Sequence, residues 1–240
     1  MKKLLDFALV SFAALMLFSC EPAEQGYTVE QYYDNIFTIN KSAVVPEFSD
    51  STLIVSNISQ YGLQTGDRAH MILRYYFDYE TMKKPELKVY QIINVIPTLS
   101  LVPKEEIDTL VYNTPFNKLH KYEFMDRYAQ PVWVWKNRQN INISYFGLRD
   151  DASFAMSVTG VNEDCVELEL RAKAKRSGNV TASRLLTFDL SNVADYLTEE
   201  HKKSIAGIDS LRTRIYFNRE ENGAVKRVDI IGGKIANPVK

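Results

Sequence analysis

Cysteine is nearly absent: the 240 residues carry two, Cys20 and Cys165. That scarcity excludes a disulfide-stapled scaffold. Histidine is almost as scarce, with His70, His120 and His201 far apart in the chain. No His-Glu-x-x-His, Cys-x-x-Cys, phosphate-cradling glycine loop or Gly-x-Ser-x-Gly elbow occurs. Neither sign of charge dominates. With 29 Lys+Arg against 30 Asp+Glu the net charge is -1, which removes the broad basic footprint of a nucleic-acid binder. There is no repeat at a fixed period and no low-complexity tract. What remains is an ordinary folded chain, 45% hydrophobic and 25% charged, long enough for one or two domains.

Lys2 and Lys3 precede a mostly apolar stretch from Leu4 to Phe18, interrupted by Asp6. It is too short to span a hydrocarbon core about 30 Å thick, so it reads as a signal segment. Its end, Leu17-Phe18-Ser19-Cys20, resembles a bacterial lipobox. The resemblance implies cleavage before Cys20, diacylglycerol on its sulfur and acyl chains such as palmitate on the new amino terminus. Each buried CH₂ then contributes about 0.8 kcal/mol to membrane attachment. The alternative is a plain secretory signal with a coincidental cysteine. Cys165 opens a strand pattern among Glu163, Asp164 and Glu167, an acidic setting that suits a buried, inert thiol.

After a tether over 20–34, apolar and β-branched runs follow one another: Thr52 to Ile58, Arg68 to Tyr76 and Leu87 to Ile96, with turn signals between them. They predict a small barrel. Asn113 to Ala129, with Pro115 and little periodicity, is the expected boundary. Beyond it come Val132 to Trp135, the alternation through Ile141, Ile143 and Tyr145, then Phe154 to Val158. A run with Val166, Leu168 and Leu170 on one face and Glu167, Glu169, Arg171, Lys173 and Lys175 on the other leads into Arg184 to Leu190. Four such strands predict an antiparallel meander with one wet side. Thr198 with Glu199 and Glu200 starts a short helix ending at Gly207. Asn222-Gly223 turns a closing hairpin.

Lipobox, tether, Thr65-Gly66-Asp67-Arg68 in a barrel-like half, then Val132-Trp133-Val134-Trp135 and a meander to Phe188-Asp189-Leu190: this order resembles the NigD-like lipoproteins of Bacteroidota. The resemblance implies an all-β chain: a small OB-like barrel followed by an antiparallel β-sandwich with one short helix. The expected division is 1–19 signal peptide, 20–34 lipidated tether, 35–113 barrel and 114–240 sandwich. The family supplies no functional residues to carry over. It also suggests a role beside a bacteriocin operon, from the name alone. In that lineage, Asp followed by Ser or Thr and an aliphatic residue or Thr is an O-glycosylation pattern, which makes Ser51, Thr109 and Ser210 candidate glycan sites.

Among aromatic residues, Trp133 and Trp135 share a face if their strand is regular. Buried, they are sandwich core with Val132 and Val134 facing out; exposed, they are a platform for sugar or protein. Tyr75 and Tyr76 point to opposite faces of a barrel strand, so one of them lines a surface where OB-type barrels bind oligomers. These four residues are the candidate binding face. His70 is expected as a satisfied wall histidine, His201 on an exposed helix face and His120 in the linker. The acidic pairs Glu105-Glu106, Asp150-Asp151, Glu163-Asp164 and Glu220-Glu221 fall at turns, where acids favour bends and solvation, so no metal site or cofactor is expected.

These observations favour a non-enzymatic binding module in the cell envelope. It is anchored by lipid on Cys20 to the outer membrane, on the periplasmic or cell-surface side, and engages an envelope protein or a glycan but no nucleic acid. The alternative is an envelope hydrolase or glycan-processing enzyme, whose mark would be convergent carboxylates or His70 beside an acid.

Overall fold

β-Branched and aromatic runs broken by Gly, Pro and Asn turns leave the chain little choice but strands, and it forms two sheets. The computed structural model describes residues 27–78, 84–108, 112–119, 130–146, 152–173 and 181–239. Cys20, Thr109, His120, Asp150, Asp151, Lys175 and Arg176 lie outside them.

The first sheet holds β1 (Tyr27–Asn40), β2 (Ala43–Pro46), β3 (Leu53–Ile54), β4 (Arg68–Asp78) and β5 (Glu86–Ile96) in the order β3-β2-β1-β4-β5, all antiparallel. The chain leaving β3 brings the two ends of this sheet together. The Ser56 amide donates to the Leu87 carbonyl (3.0 Å), while the Asn57 side chain accepts from the Val89 amide (2.7 Å) and donates to its carbonyl (3.1 Å). A 3₁₀ turn at Ile58–Tyr61 follows. Five strands in a partly open ring form an OB-type barrel, as expected. Its core contains Phe37, Val44, Ala69, Met71, Leu73 and Val89.

The second sheet comprises β6 (Thr98–Ser100), β7 (Phe116–Leu119), β8 (Val132–Trp135), β9 (Arg138–Phe146), β10 (Ser153–Asn162), β11 (Cys165–Lys173), β12 (Thr181–Asp189), β13 (Ser210–Glu221) and β14 (Ala224–Ala236). Its path runs β10-β11-β13-β7-β9-β12-β6, with β14 on β13 and β8 on β9. The path curls until its ends meet, where the Val102 amide donates to the Met156 carbonyl (2.9 Å). Ile143 and Phe188 from one end thereby share a core with Met156, Leu168 and Ile215 from the other. Helix α1 (Lys104–Ile107) and helix α2 (Glu199–Ile205) are short; the Thr198 hydroxyl caps α2 by accepting from the His201 amide (3.2 Å).

Four readings of the sequence need correction. Strand β1 begins at Tyr27, so 27–34 is strand and not tether. Sheet membership changes at Pro97, upstream of residue 113: β6 already pairs with β12, and Leu101 lies in the second core. The second sheet is mixed, because β11–β13, β12–β6 and β13–β7 are parallel. The meander is absent too, since β9 pairs with β12 while β10 and β11 form a separate hairpin beside β13. The physical reason lies in β11, whose apolar face is buried and whose polar face is largely covered, with Cys165 and Glu169 buried and Glu167 and Arg171 half-buried, as suits a strand in parallel pairing. Its polar face is covered by the end of α1: Arg171 donates to the Ile107 carbonyl (3.2 Å) and to Asp108 (3.1 Å), and it pairs with buried Glu169 (2.8 Å).

Candidate functional site

On β4, Ala69, Met71 and Leu73 point into the barrel, so the two-residue period turns Arg68 and His70 outward. Outward here does not mean exposed. Arg68 lies under the second sheet and is among the largest fully buried side chains. Its Nη2 donates to Glu47 Oε1 at 2.7 Å, and each side chain of this pair is 1% exposed. Glu47 comes from the turn after β2, fixed there by its amide donating to the Ile36 carbonyl (2.8 Å).

The opposing sheet contributes one row across three strands, because Trp133 sits opposite Asn140 and Asn140 opposite Thr187. Asn140 Nδ2 (3.0 Å) and Trp133 Nε1 (3.2 Å) both donate to Glu47 Oε1. Arg68 Nη1 donates to Asn140 Oδ1 and Thr187 Oγ1. Ile36, Ile96, Trp133 and Leu185 wall this cluster off from water. A second bond crosses nearby, from Arg138 Nη1 to Thr38 Oγ1 (2.9 Å). A buried ion pair that also takes hydrogen bonds from the opposing sheet holds two surfaces in one register, and here it locks barrel to sandwich, although Arg68 Nε finds no hydrogen-bond acceptor among the described residues.

One residue past Glu47 the lock reaches the surface. Phe48 adopts φ +60, a region that a bulky side chain enters only under constraint, and is 48% exposed. Its ring meets Trp135 edge-on, with centroids 5.3 Å apart and planes at 63°. The β8–β9 turn also has left-handed residues, Lys136 (φ 46) and Asn137 (φ 56). Asn137 is pinned from both sides: its carbonyl accepts from the Leu190 amide (2.8 Å), and its side chain from the Ala236 amide (3.3 Å). Lys136 lies 5.3 Å from the Trp135 ring centroid and pairs with Asp50 at 2.7 Å. Two left-handed turns, one from each sheet, thus present an aromatic pair flanked by a cation and an anion.

The four aromatic residues chosen from the sequence do not form one face. Trp133 is buried in the seam and Trp135 is half-buried at its mouth; Val132 and Val134 face the sandwich core, the reverse of outward. Tyr75 packs against the barrel core, edge-on to Tyr33 at 6.0 Å; burial first, then the neighbouring Tyr33, push its phenol above its ordinary range. Tyr76 is on the outer wall with Lys88 5.5 Å from its ring, beside Arg74 stacked on Tyr90 at 3.3 Å. Ser51 and Ser210 are exposed. Glu47, Phe48 and Asn140 were not singled out from the sequence, where no spacing signal marks them.

His70 does lie beside an acid: its Nε2 is 2.6 Å from Asp34 Oδ1, with the imidazole 2% exposed. His201, expected on an exposed face, is half-buried against Gly160. Among the described residues no three or more His, Cys, Asp or Glu are grouped to hold a metal ion, and no helix is long and apolar enough to cross a membrane.

No family model and no curated protein matches the chain. Solved structures do. A candidate toxin-related protein from Parabacteroides distasonis aligns over 84% of this chain and 93% of its own, at TM-score 0.55 and 14% identity. A candidate lipoprotein from Bacteroides fragilis aligns over 86% and 98%, at TM-score 0.55 and 12% identity. A NigD-like immunity protein from Bacteroides caccae aligns over 84% and 96%, more loosely, at TM-score 0.46 and 8% identity. At these identities the likeness is one of fold: the chain carries a two-sheet fold found in Bacteroidota proteins.

Proposed function

We propose that this chain is a non-enzymatic binding module of the cell envelope, held at the outer membrane by lipid on Cys20, with its ligand site at the mouth of the seam. The observation that carries this reading is the Phe48–Trp135 pair. Phe48 is itself left-handed and Trp135 directly precedes the left-handed Lys136–Asn137 turn, and the turn at Phe48 is tied to the Glu47–Arg68 lock directly behind it. A rigid aromatic pair loses little freedom on binding, and strain of order 1–3 kcal/mol per residue persists where surrounding structure enforces it. Asp50 and Lys136 at the rim supply an acceptor and donors. An envelope glycan or an envelope protein segment suits such a surface, since aromatic anchors ringed by polar groups serve both.

The test is capture from crosslinked cells, alongside a glycan array, with Phe48→Ala and Trp135→Ala beside the wild type. Loss of the captured ligand in both variants, with unfolding midpoints unchanged, supports the site. Undiminished capture in both would sink it. For the anchor, Cys20→Ala moves the protein from the membrane to the soluble fraction. The candidate glycans on Ser51 and Ser210 would appear as added mass on the intact protein.

The His70–Asp34 pair is the one observation on the side of an envelope hydrolase. Its burial favours a satisfied barrel-wall histidine, because a general base must reach a substrate proton within about 3.2 Å or through one water. Turnover abolished by His70→Ala in a still-folded protein would reverse the assignment.

A further inference from the structure

Strand β14 is an edge. It pairs along its length with β13, and among the described residues no strand pairs with its other side. Its C-terminal part is covered, with Gly233 against Val134 of β8 and the Ala236 amide bonded to Asn137. The described residues leave the part from Ala224 to Ile231 open. There Val225 is 58% and Ile231 45% exposed, large apolar side chains on a strand that other chains can extend.

Val225, Arg227, Asp229 and Ile231 alternate along β14 and share one face. Read forward they run apolar, cation, anion, apolar; read backward, apolar, anion, cation, apolar. An antiparallel copy centred on Val228 therefore sets each Arg227 opposite the other chain's Asp229, and each Val225 opposite the other chain's Ile231. Centring on Arg227 or Asp229 instead would place like charges face to face, which is unfavourable. Among the described residues, Arg227 and Asp229 make long contacts: Arg227 lies 3.9 Å from Glu169 and over the Tyr216 ring at 4.8 Å, and Asp229 lies 3.8 Å from Arg214. These contacts leave both side chains exposed at the edge.

We propose that two copies of this chain join edge to edge through β14, antiparallel about Val228, so that their second sheets become one continuous sheet. The two-fold arrangement uses the same patch on both copies, as closed dimers do. It does not depend on the ligand reading above.

In this register a cysteine at 228 faces its own copy across about 4.5–5.5 Å between Cα atoms, within disulfide reach. A cysteine at 226 is displaced from its own copy by about 13 Å along the strand. The full chain carrying Val228→Cys, in membranes under mild oxidation, should run as a reductant-sensitive dimer on a gel. Lys226→Cys should match the parental background set by Cys20 and Cys165. Adding Arg227→Asp or Asp229→Arg to Val228→Cys should each cut the dimer roughly tenfold, since two like-charged pairs then meet. Mixing the two reversed chains restores both Asp–Arg pairs and should restore the crosslink. No dimer above background at 228, equal yield at 226, or a mixture no better than its components would overturn the proposal. If Val228→Cys does not accumulate, mixed Val225→Cys and Ile231→Cys chains report the same register from exposed positions.

Discussion

Water reaches only 1% of the Glu47 side chain, and Arg68, Asn140 and Trp133 all donate to one of its oxygens. Removing one partner of such a pair leaves an uncompensated buried charge. Arg68→Ala is therefore expected to cost about 3–5 kcal/mol in denaturant unfolding. Replacing both partners together, as Arg68→Met with Glu47→Leu, should recover much of that loss. Cys165 offers a second test at this scale. Burial, ahead of the Asp164 charge, pushes its thiol up, so the neutral form persists at pH values where free thiols ionise. It should resist alkylation in the native protein at neutral pH and react once denaturant is added. Its neighbour Asp164 is held below the ordinary carboxylate range by hydrogen bonds from Arg212. Whatever this exposed pair contributes is present at neutral pH and lost as pH falls through that lowered value. The burial of Cys165 was legible from the strand pattern it opens. Glu47 was not, because nothing in Pro46-Glu47-Phe48 reveals that Arg68 of its own sheet and two donors from the other sheet converge there.

Among the elements, hairpins were the most readable, since a turn carries its own chemistry. Asn222 (φ 52) and Gly223 (φ 77) both take the left-handed region that a two-residue hairpin requires, as Asn-Gly predicts. Gly232 answers a different demand. A β-carbon there would collide with the Gln139 and Thr213 side chains, which bond to each other at 2.7 Å inside the fold. Gly223→Ala meets open space and strains only the backbone, at about 1 kcal/mol. Gly232→Ala must displace a buried hydrogen-bonded pair, so its melting temperature should fall further than that of Gly223→Ala. The cap on α2 is a local signal as well, and Thr198→Ala should cost about 1 kcal/mol. Strand pairing was less legible than strand existence. Period-two alternation marked β11, but its neighbour is β13, reached only after β12 and α2 have intervened.

At the scale of the molecule, the seam couples the two sheets. Its walls are apolar on both sides, its centre is a buried ion pair, and it is crossed again at Arg138 and Thr38. The barrel and sandwich should therefore unfold in one calorimetric transition, and Arg68→Ala should split or broaden it. Two independent transitions in the wild type would show the seam to be weak. The same coupling ties the proposed ligand site to the lock, because Phe48 is the residue next to Glu47.

Composition, periodicity and turn residues by themselves determined that this chain is all β, with a barrel-like first half, a hairpin at Asn222-Gly223 and a capped helix at Thr198. Those are local properties, written in the backbone preferences of a few adjacent residues. Which strands are neighbours, where one sheet hands over to the other, and which tryptophan is buried were decided only by tertiary structure. Each depends on residues distant in the chain meeting across a surface: Trp133 and Trp135 have the same periodicity, yet a buried carboxylate covers one and an exposed phenylalanine borders the other.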